Sequence, residues 1–252
     1  MRGAFLSLLI ILFLLSLACT SVKVEVKYAE GSTNAFGQPK PPIDPNQLPK
    51  MDPKTIGLPA SCPAVGLIQK VKAISQGTDV WCWAASALTI MEAHDTATQQ
   101  CNIVNTVYQN DLTTNCCGNS ATSPPSECWR NGWPEEAFNN YAFNWEWVEG
   151  PLREATLAGQ LCSNGPFIFV LLFEGGGGHT FVVKDLEYLK DGDTDTGKLF
   201  LWVYDHYGVT DDPNNLSPTD FQLWSYDAFV DGLWNGGRFR HALDYVQISP
   251  IE

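Results

Sequence analysis

The chain has 252 residues, 44% of them hydrophobic, and a formal net charge of −13 at pH 7. Binding nucleic acid through counterion release needs clustered Lys and Arg, and no such cluster is visible, so no nucleic-acid partner is expected. The acidic balance suits a soluble surface outside the cytoplasm.

Arg2, an apolar run from Ala4 to Leu15 interrupted by Ser7, and the small-residue site Ser16-Leu17-Ala18 read as an export signal over residues 1–18. The run is short for a membrane span. Two processing outcomes stay open. Cleavage after Ala18 would give a soluble secreted protein, whereas lipidation of Cys19, directly after the cut, would attach the protein to a membrane. The small residue before cysteine favours the anchored form, although Ser16 stands where leucine is usual. Residues 19–59 are rich in Pro, Lys, Asn and Gly without apolar periodicity, which predicts an extended tether, with a strap along the domain as the alternative. Residues 60–252 then suffice for one domain with its own core, expected to act as a monomer.

The first strong helix signal opens at Cys82, with Ala84, Ala85, Ala87, Leu88, Met91 and Ala93 behind it. From Cys101 to Cys128 the chain reads as a loop ordered by bridges rather than by a core. Pro134-Glu135-Glu136 marks a first helical turn with carboxylates at the positive end of the dipole, and another short helix is predicted from Leu152 to Leu161. Four strand-like runs follow: Phe167 to Phe173, Thr180 to Leu189, Leu199 to Tyr204 and Ala242 to Ile248. Helices first and a mainly antiparallel sheet afterwards make an α+β fold. Between the second and third runs, Asp191-Gly192-Asp193-Thr194-Asp195-Thr196-Gly197 imitates the start of a calcium loop. Its glycine comes one place late and the closing Glu is absent, so an acidic hairpin turn is expected and calcium binding is the alternative.

The eight cysteines separate into Cys19 at the processing site, Cys82 at a helix start, and Cys62, Cys101, Cys116, Cys117, Cys128 and Cys162. Six is even, so three disulfides fit an oxidising compartment, without a pairing that the sequence reveals. A zinc site is the rival reading, but the adjacent Cys116-Cys117 lacks the gap of a zinc knuckle and no histidine is near.

Chemistry concentrates in three segments. In Gln76-Gly77-Thr78-Asp79-Val80-Trp81-Cys82-Trp83-Ala84-Ala85-Ser86, a thiol at a helix N-terminus feels the positive end of the dipole, which favours thiolate. The bland reading of Cys82 is a small buried hydrophobe or a further disulfide partner. In Gly175-Gly176-Gly177-Gly178-His179, an imidazole sits where a glycine loop meets an apolar strand, a setting that neither His94 nor His241 shares. In Tyr204-Asp205-His206, a strand ends in a carboxylate able to orient an imidazole, with His206 as a competitor for the part and a simple turn aspartate as the alternative.

Gln76, then Trp81-Cys82-Trp83-Ala84-Ala85-Ser86, then Gly178-His179, then Tyr204-Asp205, in that order, resemble papain-like cysteine peptidases. Among these they are similar to the bacterial families grouped with double-glycine leader peptidases and avirulence effector peptidases. The resemblance implies a papain-like fold, a helical part carrying the nucleophile helix packed on the sheet. It also implies a peptide or protein substrate and no cofactor. Cys82 would be the nucleophile, His179 the general base and acid, Asp205 the orienting acceptor, and Gln76 the side-chain donor to the oxyanion beside the Cys82 N–H. The Cys-rich insertion, the Pro-rich N-terminal stretch and His206, where proline is common, depart from that pattern. Three function classes follow: a peptidase, an acyltransferase or deamidase using the same thioester, or a non-catalytic surface module whose Trp129, Trp133, Trp145 and Trp147 form an interface. The aromatic segments also suggest an apolar subsite.

Overall fold

The computed structural model describes residues 43–48, 50, 58, 61–117, 124–191, 194–207 and 221–252. The signal segment 1–18 and Cys19 lie outside them. Among the described residues, β1 (Phe143–Glu149), β2 (Phe167–Leu172), β3 (Gly178–Asp191), β4 (Thr194–Asp205), β5 (Phe221–Ser225) and β8 (Arg240–Pro250) form one antiparallel sheet in the order β1-β8-β2-β3-β4-β5. Two further strands, β6 (Leu233–Trp234) and β7 (Gly237–Arg238), pair as a small hairpin. The helices are α1 (Val65–Lys70), α2 (Cys82–Ala93), α3 (Gln100–Val107), α4 (Pro134–Asn140), α5 (Glu154–Asn164) and α6 (Tyr226–Asp231). The molecule is an α+β fold.

Helices cover both faces of the sheet, and the apolar runs follow from that. Along β2, Ile168 and Val170 join the core beneath α2, α3 and α4, while Phe167, Phe169 and Leu171 join the core beneath α5 and α6. A strand buried on two sides needs continuous hydrophobicity rather than alternation. Each such side chain contributes roughly 1.5–3 kcal/mol on leaving water. Helix α2 is buried at every position but Glu92, which explains its run of small and apolar residues: it is the central helix of the molecule.

The segment from Cys101 to Cys128 differs from the expected bridge-ordered loop. Its start is helical as α3, with Ile103 and Val104 fully buried against the core. Their β-branched side chains lower helix propensity, and packing overrides it. The cysteines pair as Cys62–Cys162, Cys101–Cys117 and Cys116–Cys128, leaving Cys82 as the free thiol among the described residues. These bridges are compatible with an extracytoplasmic compartment. Among the described residues no helix is long and apolar enough to cross a membrane.

Within the 19–59 stretch, the described residues 43–48, 50 and 58 include side chains that pack on the domain. Leu48 is buried in the core beneath α5 and α6, Ile43 and Leu58 pack against that core, and the Ile43 N–H donates to Trp147 O at 3.0 Å. At the acidic turn, β3 and β4 meet in register Asp191↔Thr194, a hairpin, with residues 192 and 193 outside the described set. Of the four tryptophans weighed as an interface, Trp145 is core at 3% exposure and Trp133 and Trp147 pack against it, leaving Trp129 exposed.

Candidate active site

The turn before α2 delivers Cys82. Trp81 N–H donates to Thr78 O at 3.2 Å and Trp81 O then accepts from Ala85 N–H at 2.9 Å, so the first free helical N–H groups lie at the cysteine. The indoles on either side hold this corner to one extended segment: Trp81 Nε1 donates to Cys128 O at 2.8 Å and Trp83 Nε1 to Arg130 O at 3.1 Å. Pairing of β2 with β3 sets His179 at the head of β3, opposite Leu171. One residue on, Thr180 Oγ1 is 2.8 Å from Ser86 Oγ, tying β3 to the first turns of α2. The β3–β4 register sets Asp205 opposite Phe181, two residues from the histidine and on the neighbouring strand.

Three residues distant in sequence are thereby connected. His179 Nε2 donates to Asp205 Oδ1 at 2.7 Å, which leaves Nδ1 for the sulfur. Burial opposes a charge on Cys82, but the His179 charge and hydrogen bonds from His179 and Thr180 hold the thiol below its ordinary value. For His179, burial disfavours the cation, yet the Cys82 charge and the Asp205 hydrogen bond push it up to about 9. Asp205 is likewise opposed by burial and held low by His179, by Tyr207 N–H at 2.9 Å and by Trp234 Nε1 at 2.7 Å. All three directions favour a thiolate–imidazolium pair next to a carboxylate.

Gln76 lies in the turn ahead of α2, with Nε2 donating to Thr78 O at 2.8 Å and Oε1 buried without a hydrogen-bond partner. His206 does not compete with Asp205. Its Nδ1 donates to Ile74 O at 2.6 Å, Nε2 is buried and unpartnered, and burial pushes the ring down to about 3. His241 forms a second buried pair with Asp244 at 2.7 Å and also bonds Phe229 O at 2.8 Å. This pair ties α6 to β8, and its carboxylate accepts Leu152 N–H at 2.7 Å, so its hydrogen-bonding capacity is spent on structure. His94 stacks edge-on against Phe143.

Sequence reasoning missed Trp234. From the β6–β7 hairpin it stacks on the His179 ring at 4.9 Å and 11° while donating to Asp205 Oδ2. The signal was local: Asn235 and Gly236 have φ of 47° and 76°, the pair of positive values that a tight hairpin turn requires, and Asn-Gly is its usual composition. A cleft of about 480 Å³ opens over Cys82, walled by Trp83, Tyr108, Trp129, Trp133 and Gly178. Gly132 in its wall has no room for a Cβ, which would stand 2.7 Å from the Trp83 ring and from Glu136 Oε2.

No protein-family model matches the chain, and no curated protein matches it. Among solved structures, it is similar to the peptidase domain of Streptococcus ComA, a bifunctional ABC transporter involved in quorum sensing, with 14% identity and a TM-score of 0.42 over 72% of this chain and 99% of that one. It is also similar to procathepsin B of Trypanosoma congolense, with 11% identity and a TM-score of 0.44 over 81% of this chain and 83% of that one.

Proposed function

We propose that the chain is an exported papain-like cysteine peptidase that hydrolyses peptide bonds through an acyl-enzyme on Cys82. The observation that carries this reading is the linked set Cys82, His179 and Asp205, with the free thiol at the first residue of a buried helix. The Cys82 sulfur attacks the substrate carbonyl carbon, forming a C–S bond while the oxygen takes the negative charge. The Cys82 N–H and the second amide hydrogen of Gln76 hold that oxyanion. Collapse breaks the C–N bond, and the leaving amine takes its proton from His179 Nδ1. Water then attacks the thioester and gives its proton to His179, the C–S bond breaks, and the thiolate–imidazolium pair is restored. Export through the N-terminal signal, with which the disulfides are compatible, and attachment through Cys19 belong to the same reading. Palmitate incorporation lost in Cys19→Ala checks the anchor.

The test of the chemistry uses iodoacetamide and a panel of internally quenched peptides. Rapid alkylation at Cys82, lost in Cys82→Ala and slowed in His179→Ala, together with peptide cleavage that follows the same pattern, is expected. Cleavage that survives Cys82→Ala overturns the reading. Product analysis with and without an added amine separates hydrolysis from acyl transfer.

A further inference from the structure

Residues 71–76 belong to no helix or strand, so their backbone groups depend on bonds made from elsewhere. Around Gln76 those bonds form a clamp with two jaws. On one side His206 contributes both its ring, which donates to Ile74 O, and its backbone carbonyl, which accepts from Gln76 N–H at 3.1 Å. On the other side a single side chain brackets the glutamine: Gln100 Nε2 donates to Ser75 O at 2.7 Å while Gln100 Oε1 accepts from Gly77 N–H at 2.9 Å. Gly77 also leaves space that a side chain would take, since a Cβ there would stand 3.0 Å from the Trp81 ring.

We propose that Gln100 is a positioning residue for oxyanion stabilisation, fixing Gln76 by bonding the backbone on both sides of it. Gln100 is the first residue of α3, and the next residue, Cys101, is bridged to Cys117. The disulfide-stapled insertion thereby gains a part in the chemistry: it holds the helix start from which Gln100 reaches the turn before Cys82. Neither Gln100 nor His206 touches the reacting atoms in this scheme. The proposal rests on the reading of Gln76 as oxyanion donor, and the test separates the two.

Two reagents that share the nucleophile but differ in transition state serve as probes. p-Nitrophenyl acetate acylates the sulfur through an oxyanion, with a C–S bond formed and p-nitrophenolate expelled with its electron pair. Iodoacetamide alkylates the same sulfur by displacing iodide and builds no oxyanion. Gln76→Ala is expected to slow acylation by about 10²–10³. Gln100→Ala, a change at a half-buried position, is expected to slow acylation by about tenfold while leaving the alkylation rate at Cys82 within about twofold. In the Gln76→Ala background, adding Gln100→Ala is expected to change acylation by less than about twofold, because the donor it positions is gone. The clamp is overturned if Gln100→Ala leaves acylation unchanged, if its effect is undiminished in the Gln76→Ala background, or if alkylation falls in parallel. Full acylation by Gln76→Ala itself removes the oxyanion assignment, and the clamp with it.

Discussion

In the proposed mechanism His179 holds the proton that the leaving amine needs, and its surroundings decide the pH at which that proton is lost. With the ring pushed up to about 9 by the Cys82 charge and the Asp205 hydrogen bond, against burial, turnover is expected to fall on an alkaline limb near pH 9. The acid limb belongs to the same coupled pair and lies below the ordinary thiol range, because the His179 charge holds Cys82 low against burial. Asp205→Asn keeps a hydrogen-bond acceptor but removes the charge, so its alkaline limb is expected at lower pH. A pH–rate profile of peptide cleavage checks this, and an unmoved limb removes Asp205 from its orienting part. Trp234 tests the same carboxylate from the other side. Trp234→Phe retains a ring to stack on His179 but loses the 2.7 Å bond to Asp205 Oδ2. We expect a fall in kcat of about tenfold, the weight of one buried hydrogen bond to a charged group, with KM unchanged. A change in KM alone would assign Trp234 to substrate binding.

At the scale of elements, α4 and β8 meet through two side chains that make their docking sensitive to pH. Glu135 in the first turn of α4 is buried and accepts from the Tyr245 hydroxyl of β8. Burial, opposed by that hydrogen bond, pushes its carboxyl up to about 7, above the ordinary 4.5. The folded state therefore holds the proton more tightly than the unfolded chain does. Stability from this group is full below about pH 4.5 and is lost as pH rises through about 7, an effect on the order of 3 kcal/mol. Denaturant midpoints are expected to fall between pH 5 and pH 8 in the wild-type protein, and the Glu135→Gln variant is expected to lose most of that slope. The elements themselves were legible in the sequence where one physical signal dominated. The run Phe167 to Phe173 reads as a strand, and Cys82 to Ala93 as a helix, from apolar pattern and helix propensity. Less legible was β1, whose Phe143-Asn144-Trp145-Glu146 alternates cleanly but whose tryptophans suggest a surface as readily as a core; a register shift between Asn144 and Glu146 then breaks the period. The head of α3 was hidden by Cys101, because a bridge-forming residue reads as loop until the burial of Ile103 and Val104 is known. In the site, Cys82, His179 and Asp205 each stood at an element end, which local sequence marks. Trp234 and Gln100 act through tertiary register, which it does not.

The whole molecule is held by bridges that differ in what they support, and this difference is measurable. Of the three described bridges Cys62–Cys162 closes the longest loop, a sequence separation of 100, and joins the approach to α1 to the body of α5, where Ala64 N–H also donates to Cys162 O at 3.0 Å. Closing so long a loop, this bridge acts chiefly on the unfolded chain by limiting its freedom. Cys116–Cys128 closes a short loop but borders the cleft, because Cys128 O receives the Trp81 indole and the residues after it carry Arg130 O to the Trp83 indole. Replacing Cys62 and Cys162 together by serine is expected to cost about 2–5 kcal/mol of stability, with the alkylation rate of Cys82 unchanged well below the unfolding transition. Replacing Cys116 and Cys128 is expected to cost less stability by the loop-length argument and yet to raise KM for peptides, since the cleft wall loses its register on α2. Equilibrium unfolding and peptide kinetics on the two variants decide between this division of labour and a common structural role, in which both pairs would shift stability and KM together.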